Sequence, residues 1–265
     1  MRTISLVNLK GGVAKTTTTI NMAVILAKIY RQRVLIVDND VTANVTKYFG
    51  VFDYDRPSME DVYRYEEVDA KGIIRSAKIP GLKLDVFPAN MNMDDALTDL
   101  LKDSEREQVM QLKKALQQVD QDYDFCIIDN HPGVAINMLN SIVCSNDIIV
   151  PIKIDKNSLD GMQDLAEIAE EMAAFNPDMR SLTCLVTMYC KDMYMGDVVL
   201  RRSSYDVFST RIRYSRKVDL GTFDTGSGLL TYSPRSAACI DYKRFVKEYL
   251  ESLPADVQKE VFSHA

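Results

Sequence analysis

The sequence of 265 residues has no tryptophan, and its two histidines, His131 and His264, lie far apart in the chain. A histidine-built metal site is therefore not the organising chemistry. The five cysteines (Cys126, Cys144, Cys184, Cys190, Cys239) are scattered, with no CxxC pair. They make no disulfide framework and fit reduced, mostly buried thiols in a cytoplasmic protein. No apolar run approaches the roughly 20 residues needed to span a bilayer. The opening residues, MRTISLVNLKGG, lack the long apolar stretch and small-residue cleavage site of a signal peptide. No segment is biased enough to be disordered, and no internal repeat is visible. The net charge of −6 argues against a surface that coats nucleic acid over its whole extent. It leaves a local basic patch open, because the field that matters is local.

What the sequence does have is 46% hydrophobic residues, enough for one sizeable core, and residues 1–265 are expected to form a single domain. Short apolar, β-branched runs alternate with segments of helical periodicity. Thr3–Asn8, Val34–Val37, Leu82–Pro88, Phe125–Ile128, Asp147–Pro151 and Leu182–Thr187 read as strands. Thr16–Tyr30, Val109–Val119, Leu159–Phe175 and Tyr242–Leu253 read as helices. Such alternation predicts right-handed crossovers and an α/β fold: a doubly wound, mostly parallel sheet with helices on both faces. Ligands in such sheets bind beyond the carboxyl ends of the strands. Lys10-Gly11-Gly12, Asp38 and Asp129, each following a predicted strand, are therefore expected to meet in one crevice.

The segment Lys10-Gly11-Gly12-Val13-Ala14-Lys15-Thr16-Thr17 joins a strand to a helix. Backbone N–H groups at a helix start, with the positive end of its dipole, bind phosphate. Gly11 and Gly12 let the backbone curl, Lys15 reaches β- and γ-phosphate oxygens, and the Thr16 hydroxyl ligates Mg²⁺. The strict pattern GxxxxGK[ST] fails, since Leu9 and Ala14 stand where it asks for glycine. KGGxxKTT stands instead, with a second lysine, Lys10, at its front. Two carboxylate sites follow. Val34–Val37 runs into Asp38-Asn39-Asp40, and Phe125–Ile128 runs into Asp129-Asn130-His131-Pro132-Gly133. A carboxylate beside a γ-phosphate positions the attacking water and helps remove its proton. The alternative for Asp40 is a turn aspartate that caps the next element.

The variant loop resembles that of the deviant Walker ATPases of the ParA/MinD superfamily. There the front lysine crosses a dimer interface to the partner's nucleotide, a role that falls here on Lys10. The segment from Asp38 resembles the family's DxDPQ motif followed by GN and a threonine. Asp38, Asp40, Asn44 and Thr46 match, while Val41-Thr42 replaces Pro-Gln and Ala43 replaces Gly. The resemblance gives Asp40 the catalytic role beside Lys10 and Lys15. It places Asp38 and Asp129 with Thr16 on the Mg²⁺ side. The family commonly continues its third motif Cys-Pro-Pro. His131 stands in that stretch here and reads as a loop or partner-facing residue, because the family's chemistry uses no histidine.

The likeness extends over almost the whole chain. Leu82–Asn90 is similar to a family strand ending in PAN, and Asp147–Pro151 with Leu159-Asp160-Gly161 to its VxxP…LxGL stretch. Thr187-Met188-Tyr189 and Tyr232-Ser233-Pro234-Arg235-Ser236 resemble the TMYD and DPRS segments that flank adenine. They imply nucleotide contacts at Met188, Tyr189, Pro234 and Arg235, beside those of Gly11 to Thr17. Core packing is the other reading of Tyr189, and Cys190 replaces an aspartate of the family pattern.

Between residues 201 and 217 stand Arg201, Arg202, Arg211, Arg213, Arg216 and Lys217, opposed within that stretch only by Asp206. Such a patch holds DNA phosphates without reading sequence; the alternative is a solvated basic face that binds nothing. The matching stretch of ParA proteins carries DNA-binding residues, which points to Arg201, Arg202, Arg213, Arg216 and Lys217. Lys243, Arg244 and Lys247 are candidates to extend it. The resemblance thus implies a cytoplasmic, nucleoid-associated ATPase of the ParA kind, using ATP and Mg²⁺. It would form an ATP-dependent homodimer on non-specific DNA, released by hydrolysis that a ParB-like partner stimulates. Two alternatives stay open: a membrane-surface ATPase of the MinD kind, and a nucleotide-binding scaffold without turnover. The tail from Leu253 is short, broken by Pro254 and not strongly basic, which disfavours the membrane. Iron–sulfur branches of the superfamily need cysteines at the dimer axis, and the cysteine spacing here does not supply them.

Overall fold

The parallel strands form where the sequence offers uninterrupted runs of branched apolar residues. In the structure, a computed structural model, residues 1–77, 79–155, 158–221 and 228–263 are described. The side chains of Ser158, Leu159, Asp160, Asp219 and Leu220, and the terminal His264 and Ala265, lie outside them. The chain runs through β1 (Arg2–Leu6), α1 (Lys15–Lys28), β2 (Val34–Asn39), α2 (Asn44–Tyr48), α3 (Met59–Arg64) and α4 (Ala70–Ile73). Next come β3 (Arg75–Ser76), β4 (Leu84–Phe87), α5 (Met93–Lys102), α6 (Gln111–Gln117), β5 (Phe125–Asn130) and α7 (Ile136–Val143). β6 (Asp147–Ile152), α8 (Ser158–Ala173), β7 (Ser181–Tyr189), α9 (Tyr194–Arg201) and β8 (Asp206–Arg213) follow. The last elements are α10 (Arg216–Gly221), α11 (Gly228–Tyr232), α12 (Ala237–Glu251) and α13 (Ala255–Ser263).

Among the described residues the strands make one sheet in the order β3-β4-β2-β5-β1-β6-β7-β8. Every pairing is parallel except that of β3 with β4. The two-residue period of a strand sorts the core into two layers. Ile4, Leu6, Ile36, Ile127 and Leu185 face α1 and α12 on one side. On the other, Leu35, Val37, Cys126 and Ile128 join residues of α3, α5 and α6, while Ile148, Val150 and Val186 join residues of α7 and α8. The fold is thus the doubly wound α/β sheet expected.

Two strands escape the sequence reading. β3 is two residues long and pairs antiparallel at one edge. β8, DVFSTRIR, is the other edge and lies inside the stretch read as a basic patch. The last long helix also starts earlier than periodicity suggested, because the Ser236 hydroxyl caps it by accepting from the Cys239 N–H at 3.3 Å.

The strand order reverses around β1, which lies between β5 and β6. At such a reversal the crossovers diverge and a crevice opens at the carboxyl ends. The register Asp38↔Asp129 and Asn39↔Asn130 between β2 and β5 brings the two acidic segments side by side there.

Candidate functional site

β1 stops at Leu6, and the chain crosses the top of the sheet to the first turn of α1. Asn8 shapes this passage: its amide donates to the Pro151 carbonyl (2.8 Å), and its Oδ1 accepts from the Lys10 N–H (2.9 Å). Gly12 turns the loop at φ 70°. Ala14 holds the last bend at φ 69°, ψ 30°, a left-handed conformation that costs an alanine more than a glycine. No side chain caps α1, so its first N–H groups remain available to an anion. The Thr187 hydroxyl, at the end of β7, donates to the carbonyls of Val13 (3.0 Å) and Ile152 (3.1 Å). That bond brings the Met188-Tyr189 segment up to the loop.

The two lysines of the loop differ in setting. Lys15 is buried, and its Nζ donates to the carbonyls of Asn8 (3.0 Å) and Lys10 (2.9 Å). Burial lowers its pKa, opposed by the charges of Asp129 and Asp40, which it faces. Lys10 lies at the surface, its Nζ 2.8 Å from Asp155 Oδ1 in the same chain. An exposed pair of this kind is worth about 0–1 kcal/mol, so the side chain is held only lightly.

Asp38 and Asp129 are fully buried. Asp38 Oδ2 accepts from the Thr46 N–H (2.8 Å) and the Thr46 hydroxyl (2.6 Å), while Oδ1 has no partner among the described residues. Asp129 accepts from the Thr16 hydroxyl (2.7 Å) and the Thr19 hydroxyl (3.1 Å). Burial pushes both carboxyls up to about 7, against the bonds from Thr46, Thr16 and Thr19. Asp38 adds to the rise at Asp129, and Asp40 adds to it at both.

Hard oxygen donors, one of them unpartnered and buried, fit Mg²⁺. Among the described residues no cluster of three or more His, Cys, Asp or Glu forms a protein-only metal cage. Mg²⁺ is commonly held by one or two carboxylates together with substrate phosphates. Thr16, Asp38 and Asp129 are the residues that would hold it.

Asp40 ends the β2 segment with its side chain 10% exposed. Its Oδ1 accepts from the Thr42 N–H and hydroxyl, both at 2.8 Å, and lies 3.1 Å from His131 Nδ1. The turn role and the catalytic role are thus compatible: Oδ1 makes the turn, and none of the described bonds uses Oδ2. His131, read from sequence as a loop or partner-facing residue, lies in the loop after β5 and reaches this carboxylate within its own chain. Behind the pair, Asn39 donates to Asn130 Oδ1 (2.8 Å) and accepts from the Tyr63 hydroxyl (2.7 Å), which fixes the two segments to each other.

The adenine-flanking residues are less converged. Tyr189 packs with the core cluster on β6 and β7, and the Arg211 guanidinium lies 5.5 Å from its ring centre. Core packing therefore describes Tyr189 better than a free base wall. Met188 stands at φ 51° beside the loop. Pro234 and Arg235 are exposed, in the turn before α12. A cavity of about 440 Å³ opens at Thr16 and Thr17, walled by Ile20, Tyr48, Val218 and Leu229; no sequence motif marked it.

The basic stretch is only partly free. Asp197 on α9, fully buried, pairs with Arg201 (3.2 Å) and with Arg211. Asp241 on α12 pairs with Arg213 at 2.7 and 2.8 Å. The excess charge read between residues 201 and 217 is thereby reduced, because its counter-charges Asp197 and Asp241 lie outside that stretch and are brought to it by the fold. Arg202, Arg216 and Lys217 remain exposed and without a described side-chain partner. On the helices, Arg244 is exposed and Lys247 pairs with Glu251 (3.5 Å).

No helix among the described residues is long and apolar enough to cross a membrane. In α13 Val261 is buried, while Phe262 meets Tyr30 edge-on at 5.8 Å and stays 37% exposed. The five cysteines are free thiols, Cys126, Cys184 and Cys239 fully buried.

Known proteins are similar to this chain in sequence and in fold. Residues 1–181 match the AAA domain family AAA_31. The sporulation initiation inhibitor protein Soj of Bacillus subtilis is 30% identical over 251 residues, which cover 92% of this chain and 96% of that one. The chromosome-partitioning ATPase Soj of Thermus thermophilus is 30% identical over 256 residues, 94% and 96% of the two chains. Among solved structures, cobyrinic acid a,c-diamide synthase of Mycobacterium smegmatis, with a bound ATP analog and magnesium, superimposes with a TM-score of 0.80. It is 26% identical, over 97% of this chain and 96% of that one. Agreement over such lengths shows common descent: the chain belongs to the ParA/MinD superfamily of P-loop ATPases, close to Soj.

Proposed function

We propose that this chain is a partition ATPase whose nucleotide state governs its hold on DNA. One observation carries the reading: Lys15, Asp40, Asp38, Asp129 and Thr16 converge at the ends of β1, β2 and β5, with uncapped N–H groups at the start of α1. The two Soj relatives, one of them a chromosome-partitioning ATPase by name, support partition over other uses of the fold.

In this reading the loop from Gly11 to Thr17 wraps the phosphates of ATP, and Lys15 leaves the loop carbonyls for phosphate oxygens. Mg²⁺ bound with the nucleotide supplies positive charge that keeps Asp38 and Asp129 ionised and offsets the phosphate charge. Asp40 presents Oδ2 to the attacking water and helps take its proton. Lys10, released from Asp155, reaches across to the nucleotide of a second copy, so that ATP favours the dimer. Exposed cations at Arg202, Arg216 and Lys217 then hold DNA phosphates, in register with those of the partner copy. A ParB-like protein stimulates hydrolysis and frees the DNA. Nucleotide can change DNA affinity only through states that differ in that affinity, and the dimer supplies such a state.

The test is DNA binding at low salt with ATP and with ADP, for the wild type and for the Arg202→Ala/Arg216→Ala/Lys217→Ala variant. The reading expects ATP-dependent binding, lost in the variant and falling steeply with added salt. Binding that ignored the nucleotide, or none at low salt, would sink it. Cosedimentation with anionic liposomes tests the membrane-surface alternative. Turnover lost in Asp40→Ala with ATP binding retained would dismiss a scaffold without turnover.

A further inference from the structure

His131 is a titratable residue of the crevice to which the proposed reaction gives no part. Its place follows from the sheet. β2 and β5 pair in parallel through Asp38↔Asp129 and Asn39↔Asn130, so the next step of the register sets residue 131 beside residue 40. The Asn39–Asn130 amide bond at 2.8 Å holds that step. His131 Nδ1 then lies 3.1 Å from Asp40 Oδ1. A carboxylate only accepts, so the imidazole donates, as the tautomer protonated on Nδ1.

The three donors on Asp40 all meet one oxygen. The Thr42 N–H and hydroxyl approach Oδ1 from Asp40's own turn, and His131 approaches it from the loop after β5. The two bonds from Thr42 fix the turn but leave the carboxylate free to rock about its Cβ–Cγ bond. A third donor from a different strand end opposes that rocking and leaves Oδ2 as the oxygen that none of the described bonds uses. We propose that His131 is a positioning residue for Asp40, fixing which carboxylate oxygen meets the water that attacks ATP. The inference rests on the ATPase reading. It adds that the loop after β5 acts on the chemistry through an imidazole N–H.

Three substitutions separate the hydrogen bond from the ring's bulk. Asn Nδ2 stands as many bonds from Cα as His Nδ1, so His131→Asn keeps a donor in place. His131→Phe keeps the ring and loses the donor; His131→Ala loses both. Steady-state ATP hydrolysis and ATP affinity by equilibrium titration are the readouts. The expected result is a kcat about tenfold lower in the Phe and Ala variants, a kcat near wild type in the Asn variant, and unchanged ATP affinity in all three. A Phe variant as active as wild type, or an Asn variant as impaired as Ala, overturns the inference while the ATPase reading stands. Loss of ATP affinity together with kcat in all three also overturns it, since that is the mark of a structural role. A wild type that binds ATP without turning it over overturns both.

Discussion

Ala14 and Ala43 occupy the left-handed region at φ 69° and 53°, one closing the phosphate loop and the other opening α2. Both stand where related motifs place glycine, so each L side chain is held in a conformation that costs it about 1 kcal/mol or more. Ala14→Gly and Ala43→Gly are each expected to raise stability by about 0.5–1 kcal/mol, net of the greater freedom of an unfolded glycine. Urea unfolding checks this, and a loss of stability in both would show that the strain is absorbed elsewhere. Asp38 offers a second residue-scale test. Its folded pKa, raised to about 7 by burial, means that folding is unopposed by its charge below about pH 4. Stability is then lost as pH rises toward 7. Asp38→Asn removes the ionisation, so in EDTA it is expected to exceed the wild type by about 1–3 kcal/mol at pH 8 and to match it near pH 4. Chemical unfolding at the two pH values decides. A variant less stable than wild type at pH 8 would mean that Asp38 is charged and welcome in the folded chain.

At the level of elements, the long parallel strands were legible because Val34–Val37 and Phe125–Ile128 are uninterrupted apolar runs, which only a sheet covered on both faces accommodates. The loop from Lys10 to Thr17 was legible for a similar reason: few local sequences lead from a strand into an uncapped helix start. β8 was not legible, since five of the eight residues of DVFSTRIR are polar or charged and its arginines invite a reading as free charge. Its counter-ions Asp197 and Asp241 come from α9 and α12, which only the fold brings near. The contact of His131 with Asp40 was hidden likewise, because it depends on the register of two strands far apart in sequence. Asp197→Ala strips Arg201 and Arg211 of a buried partner; allowing for the partial exposure of both arginines, it is expected to cost about 2 kcal/mol. Hydrogen exchange is expected to quicken in β8 and α9 before it does in β1 or β5. Uniform protection across β8 in the variant would show that the pairs contribute little.

Seen whole, the molecule gathers its chemistry at one end of the sheet and leaves Lys10 at the rim, lightly tied to Asp155. Lys10→Ala is therefore expected to change stability by less than about 0.5 kcal/mol while abolishing any ATP-dependent dimer seen by sedimentation. A dimer that survives the change would remove the lysine from the interface. The two margins of the sheet bear on the same meeting of copies. A margin strand with open N–H and C=O groups is a template for another chain's strand, and long flat ones lead to aggregates. Here one margin is β3, two residues long and antiparallel. The other, β8, carries two arginine ion pairs, Arg211 with Asp197 and Arg213 with Asp241, that tie it to α9 and α12. Neither invites a stranger's backbone. Copies of this chain crowded together on one stretch of DNA would thus have little means of sticking side by side, and association would be left to the end where the nucleotide decides.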